Sequence, residues 1–78
     1  MSVIEKYKDS FVNTLQLDSS VEIEKLSYRD HGWDSVAHMV LMATLEEAFD
    51  IMLDTDDIID FSSFEKGKEI LRKYDVGL

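Results

Sequence analysis

The sequence contains no cysteine and no proline, and only three glycines in 78 residues. Without cysteine, disulfides, thiolate catalysis and thiolate metal sites are excluded together, and a domain of this size has to be held by packing alone. Without proline, and with little glycine, hardly anything breaks a helix from within. Bases are scarce as well: eight Lys and Arg stand against seventeen Asp and Glu, a formal charge of −9 and a pI near 4.4. Such a surface repels a phosphate backbone, so no nucleic-acid partner is expected. No apolar run approaches the ~20 residues of a membrane-spanning helix. The opening Met1-Ser2-Val3-Ile4-Glu5-Lys6 mixes charge into its first turn, which argues against a signal peptide. A cytoplasmic chain without a membrane span is the expectation.

What remains is 45% apolar, with one Trp, three Tyr and four Phe, enough for one small core. The expected fold is all-α over a single domain, 1–78: a small bundle of three main helices and one short helix, with a long first loop. Ser2 can cap the first helix with Glu5 as its capping-box partner, and Ile4, Tyr7, Phe11 and Leu15 follow at helical spacing. From Gln16 to Asp34 the pattern is irregular, although Ser19 with Glu22 could cap a short turn. Loops of this length in compact domains tend to be functional or pinned by their own apolar residues, here Leu26, Tyr28 and Trp33. The second helix should run from about Ser35 to about Asp50 with Asp34 at its cap. A short third helix is capped by Asp54 or Thr55, with Asp56 and Asp57 near its N-terminal dipole and Ile58, Ile59 and Phe61 as its apolar contacts. Ser62, with Glu65, opens the last helix, which Gly67 should weaken by up to about 1 kcal/mol relative to alanine.

On a helical projection of the second helix, Leu41, Leu45, Ala48, Phe49 and Met52 share the face expected in the core, flanked by Met42. The opposite face carries Val36, Val40 and Ala43, bordered by Met39, Glu46, Glu47 and Asp50. An apolar strip with an acidic edge is either a set of ordinary exposed apolar residues or a docking surface. Between Asp30 and Glu65 all ten formally charged residues are acidic. That one-sign field steers basic partners, and it also serves plain solubility.

Ser35 is the one candidate for covalent chemistry. It lies where an irregular loop meets a helix N-terminus, a setting that exposes a hydroxyl and favours an attached phosphate; Asp34 or Ser35 could equally be a simple cap. His38 faces inward and could line a pocket, but a histidine satisfied by a backbone carbonyl is the favoured reading. Asp30, His31, Asp34 and His38 do not match the ligand spacing of a closed metal site, and no metal is expected. The Asp54, Asp56, Asp57, Asp60 cluster lacks the glycine and glutamate of a calcium loop. A Ser-His-Asp hydrolase would need an oxyanion hole and a cleft for which so small a core has little room. Trp33 is expected to bury its ring and anchor the loop rather than contact a ligand.

The run Gly32-Trp33-Asp34-Ser35-Val36, followed by Leu41, Leu45-Glu46-Glu47 and Phe49-Asp50, resembles the acyl carrier protein family and its Asp-Ser-Leu phosphopantetheine attachment motif. It is similar in particular to small free-standing carriers in which a tryptophan precedes the Asp-Ser pair. The resemblance implies that Ser35 receives 4′-phosphopantetheine from coenzyme A through a separate phosphopantetheinyl transferase, with Asp34 helping to place it. It also implies a non-enzymatic protein, monomeric, that holds an acyl or aminoacyl group as a thioester. A loading ligase or transferase and a downstream synthase or acyltransferase would be its partners, recognising Val36, Met39, Val40, Ala43, Glu46 and Glu47.

Two departures qualify this. Val36 replaces the usual leucine, and Ala37 and Val40 stand where fatty-acid carriers commonly have acids. Docking should lean on apolar contact, which favours a dedicated biosynthetic pathway over general fatty-acid synthesis. The rival expectation is an acidic helical adaptor or inhibitor with no prosthetic group.

Overall fold

A computed structural model describes residues 2–78; Met1 lies outside the described residues. Among these residues there are four α-helices and no strand: α1 (Val3–Leu15), α2 (Ser35–Phe49), α3 (Thr55–Asp60) and α4 (Phe64–Arg72). The long connection from α1 to α2 contains two single 3-10 turns, Ile23–Lys25 and Asp30–Gly32. The architecture is therefore the all-α bundle expected, three main helices and one short one around an aromatic centre.

α1 begins where Ser2 accepts a hydrogen bond from the Glu5 amide, 3.2 Å. Its buried stripe is Tyr7, Ser10 and Phe11, and Ile4 is exposed, so the apolar spacing overstated the inward face by one turn. Ser10 is satisfied by donating to the Lys6 carbonyl of its own helix, 3.0 Å. Tyr7 and Phe11 meet Phe64 from α4 and Trp33 from the loop in tilted and edge-on ring contacts of 4.6–5.4 Å. The Tyr7 hydroxyl donates to the Phe64 carbonyl at 2.6 Å, pairing a polar atom in the middle of the core. Burial, with a smaller contribution from the Glu65 carboxylate, holds that phenol well above its ordinary range.

Four local expectations are corrected. Ser19 and Glu22 do not cap a turn; the Asp18 carboxylate instead takes the Ser20 amide, 2.7 Å, and its hydroxyl. The last helix opens at Ser63 rather than Ser62, with Ser63 Oγ accepting from the Lys66 amide at 3.0 Å, and Glu65 pairs with Lys68 instead of closing a capping box. Ser62 is spent elsewhere, its carbonyl accepting from the Tyr28 amide at 2.8 Å. Met52 is 85% exposed, because α2 stops at Phe49 and Asp50 turns the chain with φ of 54°, after which the helical projection no longer applies. Gly67 is not a weak point of α4. A Cβ there would lie 2.2 Å from both Tyr7 Oη and Phe61 Cζ, so the helix packs on the core only because this residue has no side chain.

α3 is fastened to α4 and the residues after it by Asp57. Its carboxylate accepts from Lys73 Nζ at 2.6 Å and from the Tyr74 hydroxyl at 2.5 Å, and the same hydroxyl accepts from the Asp54 amide at 3.0 Å. Asp57 lies in the first turn of α3 as expected, and its buried side chain serves as this clamp as well.

Candidate functional site

The loop before α2 reverses sharply. Arg29, His31 and Gly32 all have positive φ, at 86°, 51° and 83°, a concentration that favours glycine and costs energy at the other two. It is held by a closed set of bonds: the Arg29 amide donates to the Trp33 carbonyl, the Trp33 amide to the Asp30 carbonyl, and the Ser27 amide to the Asp30 carboxylate, at 2.8–3.0 Å. The result drives the Trp33 ring wholly into the core and leaves the next two residues outside. Trp33 is thus the anchor expected of it, with Leu26 buried and Tyr28 half-buried beside it.

Asp34 stands at the N-cap of α2, its Oδ1 accepting from the Ala37 amide at 2.9 Å. With the cap assigned to Asp34, Ser35 is the first residue of the helix and is exposed. The capping alternative therefore falls to Asp34, and the Ser35 hydroxyl is left for other use.

Ser35 lines a cavity of about 370 Å³ between α2 and α3. Met39 of α2, Ile58 and Ile59 of α3, and Tyr28 of the loop form its walls, and His38 and Phe61 contribute to its lining. Tyr28 and Ile59 belong to this lining although the residue pattern assigns them only to loop anchoring and helix packing. Ile59, expected as a packing contact of the short helix, is 72% exposed, while Ile58 beside it is half-buried.

His38 is buried at 9% exposure and both ring nitrogens are engaged. Nδ1 accepts from the Trp33 indole N–H at 3.0 Å, and because that indole can only donate, Nε2 carries the proton and donates to the Ile58 carbonyl at 2.7 Å. The satisfied histidine is therefore the correct reading, and no ring nitrogen remains to activate Ser35. Asp34 is equally committed to its cap, and among the described residues no group of three or more acidic or histidine side chains is arranged to hold a metal ion.

On the outward side of α2, Val36 is 74% exposed, Met39 58% and Val40 51%, with Ala43 and Glu47 also exposed. Glu46 is half-buried, and its Oε2 accepts from the Leu53 amide at 2.8 Å, so part of this carboxylate fixes the chain that leads to α3.

A helical bundle that exposes the Ser35 hydroxyl at the start of α2, beside an apolar cavity, has the build of a carrier domain. The family comparison agrees: the model for the phosphopantetheine attachment site matches residues 9–66, and the chain belongs to that family. Members carry 4′-phosphopantetheine covalently on a serine, work with a phosphopantetheinyl transferase and partner enzymes, and are not themselves enzymes. Comparisons with curated proteins and with solved structures gave no match. No helix among the described residues is long and apolar enough to cross a membrane.

Proposed function

We propose that Ser35 is the attachment residue and that the chain, acting as one carrier domain over 1–78, delivers a thioester-bound acyl or aminoacyl group within a dedicated biosynthetic pathway in the cytoplasm. The observation that carries this is the position of Ser35: exposed, first in α2, preceded by the capping Asp34 and opening onto the apolar cavity. The residues fit the group. In the attachment step the Ser35 oxygen bonds to the phosphorus of the pantetheine half of coenzyme A, the pyrophosphate link breaks, the nucleotide half leaves, and the hydroxyl proton passes to the transferase. When bound, the group supplies a thiol on a flexible arm, the only thiol on a chain without cysteine.

The chain's own residues then do three things. Asp34 ties down the first turn of α2 and so fixes where Ser35 stands; losing such a cap costs about 1 kcal/mol. Val36, Met39, Val40 and Ala43 present an apolar strip to a loading ligase or transferase and to a downstream synthase or acyltransferase, with Glu47 and the solvent side of Glu46 at its border. The field from the acidic stretch between Asp30 and Glu65 orients basic partners on approach.

The test is intact mass. Co-expressed with a broad-specificity phosphopantetheinyl transferase, the wild-type chain is expected to gain one phosphopantetheine and Ser35→Ala none. A wild-type chain that stays unmodified, or a mutant that is still modified, overturns the assignment; the former would favour the adaptor without a prosthetic group.

A further inference from the structure

Arg29 is the single Lys or Arg between Leu26 and Glu65, and it directly precedes the acidic stretch in which Ser35 lies. Its φ of 86° is a conformation that glycine adopts freely and arginine does not, so the turn itself gains nothing from this side chain. The Arg29 amide donates to the Trp33 carbonyl at 2.8 Å, which brings Arg29 beside the chain two residues before Ser35. The guanidinium lies over the Tyr28 ring, 5.6 Å from its centroid, and Tyr28 forms one wall of the cavity that Ser35 lines. A guanidinium stacked on a ring keeps the N–H groups of its edge available to donate. Among the described residues no acid takes them, since the salt bridges there are all made by lysines. The Asp30 carboxylate accepts from the Ser27 amide at 3.0 Å, and that of Asp34 from the Ala37 amide at 2.9 Å. Arg72, the other arginine, donates to the Leu78 carbonyl at 2.6 Å. His31 of the same turn lines a different hollow, with Leu17, Asp18 and Val21.

We propose that Arg29 binds the phosphate of the arm, a phosphodiester once it is joined to Ser35, and so holds the base of the arm on the Tyr28 side of the cavity. The proposal rests on Ser35 bearing that arm. A phosphodiester stays anionic at every ordinary pH, and on Ser35 it stands next to Asp34 in a chain whose formal charge is already −9. Repulsion from the neighbouring carboxylates favours a cation there, and a planar guanidinium meets two phosphate oxygens at once through paired N–H donors. A carboxylate of a partner protein is the competing occupant. The arm's phosphate is favoured because the turn that fixes Arg29 also fixes the approach to Ser35, so the two are held together before any partner arrives. An arm tied in this way leaves the serine in one direction instead of many.

The chain has only two arginines, so its arginine Nε–H spectrum holds two signals, and that of Arg72, bonded to Leu78, is an internal reference. The experiment compares the unmodified chain with the chain carrying the arm, made with a phosphopantetheinyl transferase and coenzyme A. Proton–nitrogen NMR follows the arginines, and phosphorus NMR follows the arm. On attachment the Arg29 Nε–H signal is expected to move and its exchange with water to slow several-fold, with Arg72 unchanged. The phosphorus signal should differ from that of phosphopantetheinyl serine in a short peptide, and in Arg29→Gln and Arg29→Gly it should return most of the way to the peptide position. Glycine adopts the φ of 86° without strain, so Arg29→Gly removes the side chain and keeps the turn. An Arg29 signal unmoved by attachment, or a phosphorus signal the same in the wild type and both variants, overturns the proposal. An Arg29 signal that moves only when the transferase is added assigns the guanidinium to a partner's acid and overturns it too. Should the variants accept no arm, the wild-type Arg29 signal decides alone. A wild-type chain that gains no arm overturns the carrier assignment together with this inference, whereas an arm without the Arg29 response overturns this inference alone.

Discussion

The indole N–H of Trp33 donates to Nδ1 of His38 across 3.0 Å, with the two rings inclined by only 21°. This bond joins the loop that carries the attachment segment to the helix that begins with it. Replacing Trp33 by Phe keeps an aromatic ring but leaves Nδ1 of His38 without its donor. The expected loss is about 1–3 kcal/mol for the stranded polar atom, before any loss of packing. Urea unfolding checks it: the midpoint should fall with the slope unchanged.

Gly67→Ala tests the close approach of α4 to the core. In an exposed helix interior this change adds up to about 1 kcal/mol of stability. Here the new methyl group would overlap the Tyr7 hydroxyl and the Phe61 ring, so the variant should lose about 1–3 kcal/mol by overpacking and melt at a lower temperature. Thermal melts followed by circular dichroism give the sign directly.

The Asp57 clamp gives a pH dependence. Hydrogen bonding to Lys73, then to Tyr74, holds the Asp57 carboxyl below its usual range, and the bond to Asp57 raises Lys73. A depressed carboxyl contributes stability that is fully present above its unfolded value of about 3.9 and is lost as pH falls through the lower folded value. A raised lysine contributes stability that is present below its unfolded value of about 10.4 and is lost as pH rises through the higher folded value. The stability difference between wild type and Asp57→Asn is thus expected to be constant from mildly acidic to mildly alkaline pH and to shrink at both extremes. Denaturant midpoints measured across pH show whether it does.

Val40→Glu separates docking from folding. Val40 is half in solvent on the outward side of α2, so the substitution should change stability by no more than about 0.5 kcal/mol. It places an acid in the middle of the apolar strip, and kcat/KM for modification by a phosphopantetheinyl transferase should fall several-fold. A large drop in melting temperature would mean that the strip is core.

Much of this site could be read from residue order alone, for reasons that lie in local chemistry. Asp34 before a helical run is a capping signal whatever surrounds it, and it delivers Ser35 to the first helical position. The outward strip of Val36, Val40 and Ala43 follows from helical geometry for as long as the helix continues. Where the chain leaves that geometry, as at Asp50, the projection no longer applies, and Met52 stands in solvent rather than in the core. The remaining gaps are tertiary. Ser63 caps α4 because the Ser62 carbonyl has a partner across the molecule at Tyr28, and Gly67 is required because two aromatic side chains from elsewhere converge on it. The hydrogen bonds of His38 reach five positions back to Trp33 and twenty forward to Ile58; the first is within range of a sequence argument, and the second depends on where α3 comes to rest.

The backbone stitch between the loop and the start of α4 bears on how the molecule comes into being. The Tyr28 amide bonds to the Ser62 carbonyl, and the Phe64 amide bonds to the Leu26 carbonyl, so the segment leading to Ser35 takes two of its hydrogen bonds from residues made much later. A nascent chain halted before Phe64 has the serine but not both ties that hold its approach. The setting of the hydroxyl is therefore complete only once the chain through Phe64 has folded back onto the loop.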